Sequence, residues 1–256
     1  MMMPLAYEAN AEFDSTHWWF LGRIEIIRAV VQRFAGPKAD GSLRALSVID
    51  YGCGTGGVSQ TLKSGFGQYR CFEPSKEGAD ACRSRGLQIF TTQTEMRKAV
   101  TDGSDLVFLL DVLEHVENEA ALLNEACTYL NPTGLLLLTV PAYEWLWGGE
   151  DVISRHIRRY SRASLRASIE SAGLELVYMS GFNFFLLPLQ IAVVLASRNL
   201  YPKETMTGKS TNLRRPGPLQ QKICLGLLRL EAGLLRTFSF PWGGSLLAVV
   251  RKKRNS

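Results

Sequence analysis

Histidine is scarce in this chain, with three in 256 residues, at positions 17, 115 and 156. A search for a side chain that titrates near neutral pH therefore has three places to look. Five cysteines (Cys53, Cys71, Cys82, Cys127, Cys224) form no CxxC pair and no Cys/His cluster of zinc spacing. That excludes a zinc ribbon and leaves reduced thiols of a cytoplasmic protein. A basic N-terminal region followed by an apolar run is missing, so no secretory signal is expected. The chain also has no internal repeat. Its longest charge-free stretch, Leu176–Ser197, is interrupted by Ser180, Gly181, Asn183, Pro188 and Gln190, and reads as a strand followed by a buried or interfacial helix rather than a membrane span. Acidic residues are scarce in one part only. Residues 155–256 carry 17 Lys+Arg and 4 Asp+Glu, net +13, whereas residues 1–154 carry 12 and 20, net −8. A change of sign this large implies that the second part faces something acidic: a membrane surface, a phosphorylated substrate or nucleic acid.

What is present is a regular alternation of elements. HWWFLGRIEIIRAVVQRFAG places Ile24, Ile27, Val30, Val31 and Phe34 at helical spacing behind an aromatic entrance, and Gly36-Pro37 closes it. Short apolar runs at Val48-Ile49, Tyr69–Glu73, Leu87–Phe90, Leu106–Leu110 and GLLLLTVP read as five strands. Helices are expected at Ser75–Arg85 and at Glu117–Leu130, the latter ended by Asn131-Pro132. A helix over Ser161–Ala172, a sixth strand LELVYMS, a helix over Leu219–Thr237 and a last strand at about Ser245–Lys252 complete the pattern, with a polar, breaker-rich linker at 201–218. Apolar strands separated by helices indicate a parallel sheet covered on both faces. Ligands of such sheets lie outside the carboxyl ends of the strands, which puts the loops after Asp50, Glu73, Asp111 and Pro141 on one rim.

The first of those loops is Asp50-Tyr51-Gly52-Cys53-Gly54-Thr55-Gly56. Its glycines let the backbone pass close to a ligand and turn sharply into a helix. Asp50, at the strand end, can receive an ammonium or position a water, and Glu73, 23 positions later, can accept both hydroxyls of a ribose. DYGCGTG, followed by FEPS, LDVLEHV and LLLLTVPAY, resembles a class I S-adenosylmethionine-dependent methyltransferase over roughly residues 45–180. The resemblance implies S-adenosyl-L-methionine as cofactor and a Rossmann-like, seven-stranded, mostly parallel α/β sheet of order 3-2-1-4-5-7-6, with its last strand antiparallel. It further implies that the backbone around Gly52, Cys53, Gly54 and Gly56 packs against the cofactor. In that scheme Asp50 orients its amino-acid end, Glu73 binds the ribose, and Asp111 and Val112 line its methionine side. Gln93 or Glu95 would reach the adenine, and Arg23 the carboxylate.

DVLEHV resembles the group containing ubiquinone-biosynthesis O-methyltransferases and enzymes of glycan and lipid pathways. Closer still is a subgroup with an HWWF…R helix, TVPAY, then LW, an acidic residue and H-x-RRY, matched here by Trp145-Leu146-Trp147, Glu150-Asp151 and His156-Ile157-Arg158-Arg159-Tyr160. Methyl transfer to an alcohol or phenol needs in-line orientation and removal of a proton. His115, just past the fourth strand, and His156, after the fifth, are the candidate catalytic bases. Arg158, Arg159 and Tyr160 are placed on the acceptor side, and Trp18 and Trp19 form an aromatic lid over it. Asp111, Glu114 and His115 could ligate a divalent ion, as proposed for quinone-type relatives, but one short turn without an evident fourth ligand assigns no metal site.

The whole chain reads as one methyltransferase domain: a helical lid at 1–40, a cofactor-binding core at 41–180, a hydrophobic and basic helical insertion at 183–242, and a last strand with a basic tail at 243–256. Nucleic acid is not an expected partner. The fourth strand ends in DVLE, without the prolines and aromatic that grip a flipped base, and no zinc-finger, RRM or KH pattern is present. Lys222, Arg229 and Arg236 recur every seven residues among leucines, which fits peripheral contact with the inner face of a membrane through 183–242. The expected acceptor is a small lipophilic or lipid-linked molecule, O-methylated. Other acceptor atoms, a macromolecular substrate, a cofactor-binding protein without turnover, and a membrane-associated scaffold stay open at this point.

Overall fold

The structure, a computed structural model, describes residues 11–36, 43–200 and 215–253. Most of the linker expected at 201–218, Pro37 and the end of the basic tail lie outside the described residues. Helix α1 (Trp18–Phe34) is followed by β1 (Ser47–Tyr51), α2 (Gly57–Lys63), β2 (Gln68–Phe72), α3 (Lys76–Ser84), β3 (Ile89–Phe90), α4 (Gln93–Ala99), β4 (Ser104–Leu110), α5 (Glu119–Thr128) and β5 (Leu130–Pro141). Then come α6 (Gly149–Ile153), α7 (Arg162–Ser171), β6 (Leu174–Phe182), α8 (Leu187–Leu200), α9 (Pro218–Leu235) and β7 (Ser245–Lys252). The seven strands form one sheet of order β3-β2-β1-β4-β5-β7-β6, as the sequence leads one to expect. Only β7 is antiparallel to its neighbours.

Alternation along the strands divides the core in two. Leu106 and Phe108 of β4, with Leu247 and Val249 of β7, point to the face covered by α1 and α9; Val107, Leu109, Leu246 and Ala248 point to the face covered by α5 and α7. Helix starts follow local chemistry: Ser75, Thr92, Asn118 and Ser161 each accept a backbone N–H of the first turn. One expectation shifts. Asn131-Pro132 does not end the preceding helix but lies inside β5, where the register against β4 slips between Ser104 and Leu106. Residues 93–99, where the sequence pattern names no element, are capped by Thr92 and form α4. The long charge-free stretch divides into β6 and the start of α8, and among the described residues no helix is long and apolar enough to cross a membrane.

Helices α8 and α9 occupy the segment between β6 and β7. A buried carboxylate fastens α9 to the end of β6: Glu231 accepts the N–H of Phe184 at 2.9 Å, beside Asn183, whose φ of 61° is left-handed. Burial pushes this carboxyl from 4.5 up to about 7. Between those pH values the unfolded chain ionises while the folded protein keeps its proton, so stability falls as pH rises through the window. Glu231→Gln is expected to stabilise the protein by about 1–3 kcal/mol at pH 8 and by little at pH 5, read from thermal unfolding at both.

Candidate functional site

The glycine turn is built by its own backbone. Gly52, Gly54 and Gly56 have φ of 85°, 58° and 78°, values that suit residues without a Cβ. A Cβ on Gly52 would lie 2.7 Å from Val112 Cγ2, so the turn after β1 sits hard against the end of β4. Beneath it Asp50 is buried, and its Oδ2 accepts from Ser59 at 2.6 Å and Tyr69 at 2.9 Å. Burial raises this carboxyl above its usual value. Glu73 braces the turn from β2, its two oxygens accepting the N–H groups of Gly54 and Ser75 at 3.0 Å each. The Cys53 thiol faces inward, 3.5 Å from Cys82 Sγ. Contacts with Cys71 and Cys82 and burial hold it well above the ordinary thiol range, so this position offers its backbone rather than a nucleophile. Nothing in the sequence pointed to Asp14, yet this buried carboxylate accepts from Thr55 Oγ1 at 2.8 Å and pairs with Arg85 at 3.0 Å. The segment ahead of α1 thereby closes over the turn.

Beside the turn, charges of both signs are brought together. Arg23, buried on α1, pairs with Asp111 at 2.5 Å and donates to Thr139 Oγ1 at 2.6 Å, and Thr139 donates to Asp111 Oδ1 at 2.8 Å. A guanidinium and a carboxylate at one strand end match an amino-acid zwitterion. Asp111, Tyr143, Arg155 and Asn183 are the non-glycine residues with left-handed φ among the described residues. They follow β4, β5 and β6 or precede His156, so local backbone strain is concentrated at the rim.

His115 and His156, 41 positions apart, stack edge to face with ring centres 4.9 Å apart. Residues 156–160 bridge the ends of β4 and β5: Tyr160 N–H donates to Pro141, Tyr143 N–H to Tyr160, and Ile157 N–H to Glu114 in the turn after β4. This places His156 Nδ1 2.8 Å from Asp151 Oδ1 and Nε2 3.8 Å from Glu114 Oε1. Asp151 is fully buried, gripped side-on by Arg159 at 2.8 and 2.9 Å, and it accepts the Gly148 N–H at 2.7 Å. Burial alone would raise its pKa, but His156, Arg159 and Gly148 outweigh burial and hold it below the usual carboxylate value. Glu114 is also fully buried, with neither oxygen hydrogen-bonded, and burial followed by the Asp111 charge pushes it well above the usual range. His115 is pushed down to about 4, first by burial and then by His156, so its imidazole is neutral at pH 7.

Glu114, His115 and His156 each offer a ligand atom within 4.8 Å of the others. The unpartnered Glu114 oxygens and His115 Nδ1 fit a divalent cation, and these three residues, rather than Asp111, would hold one. Such an ion would supply positive charge beside a developing oxyanion, but it would occupy the Nε2 lone pair of His156, whose Nδ1 is on Asp151, and is therefore an alternative to proton removal by that ring.

The other residues singled out in the sequence are placed as follows. Arg159 is almost wholly engaged by Asp151 and the Ala142 carbonyl. Tyr160 is buried, its hydroxyl on Glu119 at 2.5 Å, and Arg158 pairs with the same Glu119 at 2.8 Å. Trp19 stacks on Phe182 at the end of β6, and Trp18 donates its backbone N–H to Gln221 of α9. Gln93 reaches the Tyr51 hydroxyl at 3.1 Å, whereas Glu95 is spent on the Thr91 N–H.

Comparison with known proteins agrees with this geometry. The family model described as "Methyltransferase domain" matches residues 20–179. The ubiquinone biosynthesis O-methyltransferase of Rhodopseudomonas palustris (strain BisA53) is 28% identical over 130 residues, 48% of this chain and 51% of that protein, so this chain spans about half the length of that relative. The enzyme of the same name from Azorhizobium caulinodans is 25% identical over 183 residues, 63% of this chain and 72% of that one. Among solved structures, the plantazolicin methyltransferase BamL, in complex with a triazolic desmethylPZN analog and SAH, superposes with a TM-score of 0.57 at 14% identity, over 98% of this chain and 90% of that one. The chain therefore belongs to the methyltransferase-domain family.

Proposed function

We propose that the chain O-methylates a small lipophilic hydroxyl compound, with His156 as general base. The observation that carries this reading is the Asp151–His156 pair at the rim. An ionised Asp151 accepting from Nδ1 leaves the Nε2 lone pair free to take a proton, the logic of any carboxylate-oriented imidazole. Neutral His115 packs against that ring and keeps water from its face. S-adenosylmethionine supplies the electrophilic methyl group. On the cofactor side, Glu73, which accepts from Gly54 and Ser75, would receive the ribose diol. Asp50, Gly52, Gly54, Gly56 and Val112 set the path of the turn, while Asp111 and Arg23 meet the ammonium and carboxylate. On the acceptor side, the half-buried Trp18 and Trp19, the latter backed by the buried Phe182 ring, offer aromatic surface suited to an apolar body. Arg158, Arg159 and Tyr160 hold the wall behind His156. The two curated relatives are named ubiquinone biosynthesis O-methyltransferases, which supports oxygen as the acceptor atom.

Incubation of the protein with methyl-labelled S-adenosylmethionine and fractionated lipids is expected to put label into hydroxyl-bearing neutral lipids, and that label should survive alkali. Label released by alkali as methanol would indicate a carboxylate acceptor and remove the need for a base. Label in nucleic acid or protein would overturn the small-molecule reading.

A further inference from the structure

We propose that the outer face of α9 is a docking surface for an anionic lipid bilayer. The argument starts from how the helix is divided. Leu228 and Leu235 are buried, as are Cys224, Glu231 and Ala232, and that face packs on α1 so tightly that a Cβ on Gly22 would overlap Leu228. The leucines that suggest an amphipathic stripe in the sequence are thus in part core. What the helix leaves outside is a different ridge: Leu219, Ile223 and Leu230 are 70%, 52% and 54% exposed. Their spacing of four and seven puts them on one line, and Lys222, Arg229 and Arg236 form a second line beside it. None of these three cations pairs with a carboxylate among the described residues. Glu231, the one acid on the helix, is turned inward.

An apolar ridge flanked by unpaired cations, with no exposed acid on the helix, is the surface of a helix lying in a headgroup layer. After α9 the chain returns along β6, with Gly181 N–H donating to Phe240, and exposes Phe238 and Trp242, rings suited to the same interfacial depth. Contacts in sequence fix the direction: Gln221 meets Thr16 and Trp18, Leu228 meets Gly22, and the carbonyls of Leu235 and Phe238 meet Arg33. Helices α1 and α9 are therefore parallel, and Leu219 sits at the end that carries the Trp18–Trp19 entrance. A lipophilic acceptor could pass from the bilayer to that entrance without crossing water. That entry route rests on the proposed function; the docking itself does not.

The test is co-sedimentation of the purified chain with vesicles of phosphatidylcholine alone or mixed with phosphatidylglycerol. Binding to the mixed vesicles at low salt is expected, and it should weaken as salt is added. Replacing Lys222, Arg229 and Arg236 together by Gln is expected to lower partitioning about 100-fold, some fivefold per cation. Leu219→Ser and Ile223→Ser should each lower it about tenfold. All five residues are exposed, so circular dichroism and S-adenosylmethionine binding should be unchanged. Should a variant fail to fold, the salt titration of the parental protein decides alone. Absent vesicle binding, salt-independent binding, or variants that bind like the parent would each overturn the proposal. So would charge-dependent binding to RNA or duplex DNA without vesicle binding, or a self-association that Leu219→Ser abolishes while vesicles are ignored.

Discussion

His156→Ala is expected to lower kcat by about 10²–10⁴-fold, the usual worth of a positioned general base, while S-adenosylmethionine binding is retained. The separation is expected because His156 lies with Asp151, Glu114 and His115, whereas the glycine turn is held by Asp50, Glu73 and Asp14. His156→Asn provides the control for packing: an amide can still donate to Asp151, but it cannot take a proton at neutral pH. If Asn restores the melting temperature of Ala without restoring turnover, the role is proton transfer. Equal turnover in the parent and both variants would return residues 155–162 to the status of a basic loop. The profile of kcat against pH adds a second readout, because loss of the base should remove the limb in which rate rises with pH.

Asp151→Ala carries the largest expected cost in stability, about 3–5 kcal/mol, because it leaves a nearly buried Arg159 guanidinium without its counter-charge. It also orphans the Gly148 N–H at the start of α6 and releases His156. The sign of the pH dependence follows from the depressed pKa of Asp151. A carboxyl held below its ordinary value stabilises the fold above pH ~3.8, and that contribution disappears as pH falls through the folded value. Parent and variant should therefore differ most in urea midpoint near neutrality and converge in acid. Asp151→Asn keeps the shape and one acceptor, so it should cost less stability than Ala. It should still lose turnover, because the amide does not fix which nitrogen of His156 carries the proton. A variant as stable as the parent at pH 7 would show that Arg159 finds another partner.

Strand runs such as Leu106–Leu110 and Leu135–Leu138 are apolar on both sides because helices cover both faces, so the parallel core was within reach of the chain's pattern, whereas the strand order came only with the family resemblance. The four rim segments were legible for the same reason: a glycine turn, Glu73, Asp111 and Pro141 each follow an apolar run. Short elements were less so. Helix α4 depends on one Thr92 cap, and α6 on Asp151 reaching back to Gly148, features that composition scarcely marks. Pro132 reads as a stop in isolation, yet it is accommodated where the pairing of β5 slips.

The sequence by itself determined the residue types of the site, the glycine turn that follows β1, and the basic character of the second part. Only the tertiary structure decided which of those residues meet. His115 and His156 come together because Ile157 is tied to Glu114 after β4 and Tyr160 bridges to the end of β5, contacts that no local periodicity encodes. Glu114 is singled out by what surrounds it, since burial without a hydrogen-bond partner is a property of packing. The same holds for α9, where α1 takes Leu228 and Leu235 into the core and leaves Leu219, Ile223 and Leu230 outside. A helix periodicity says that a face is apolar, and the neighbour that packs on it says which face is left over.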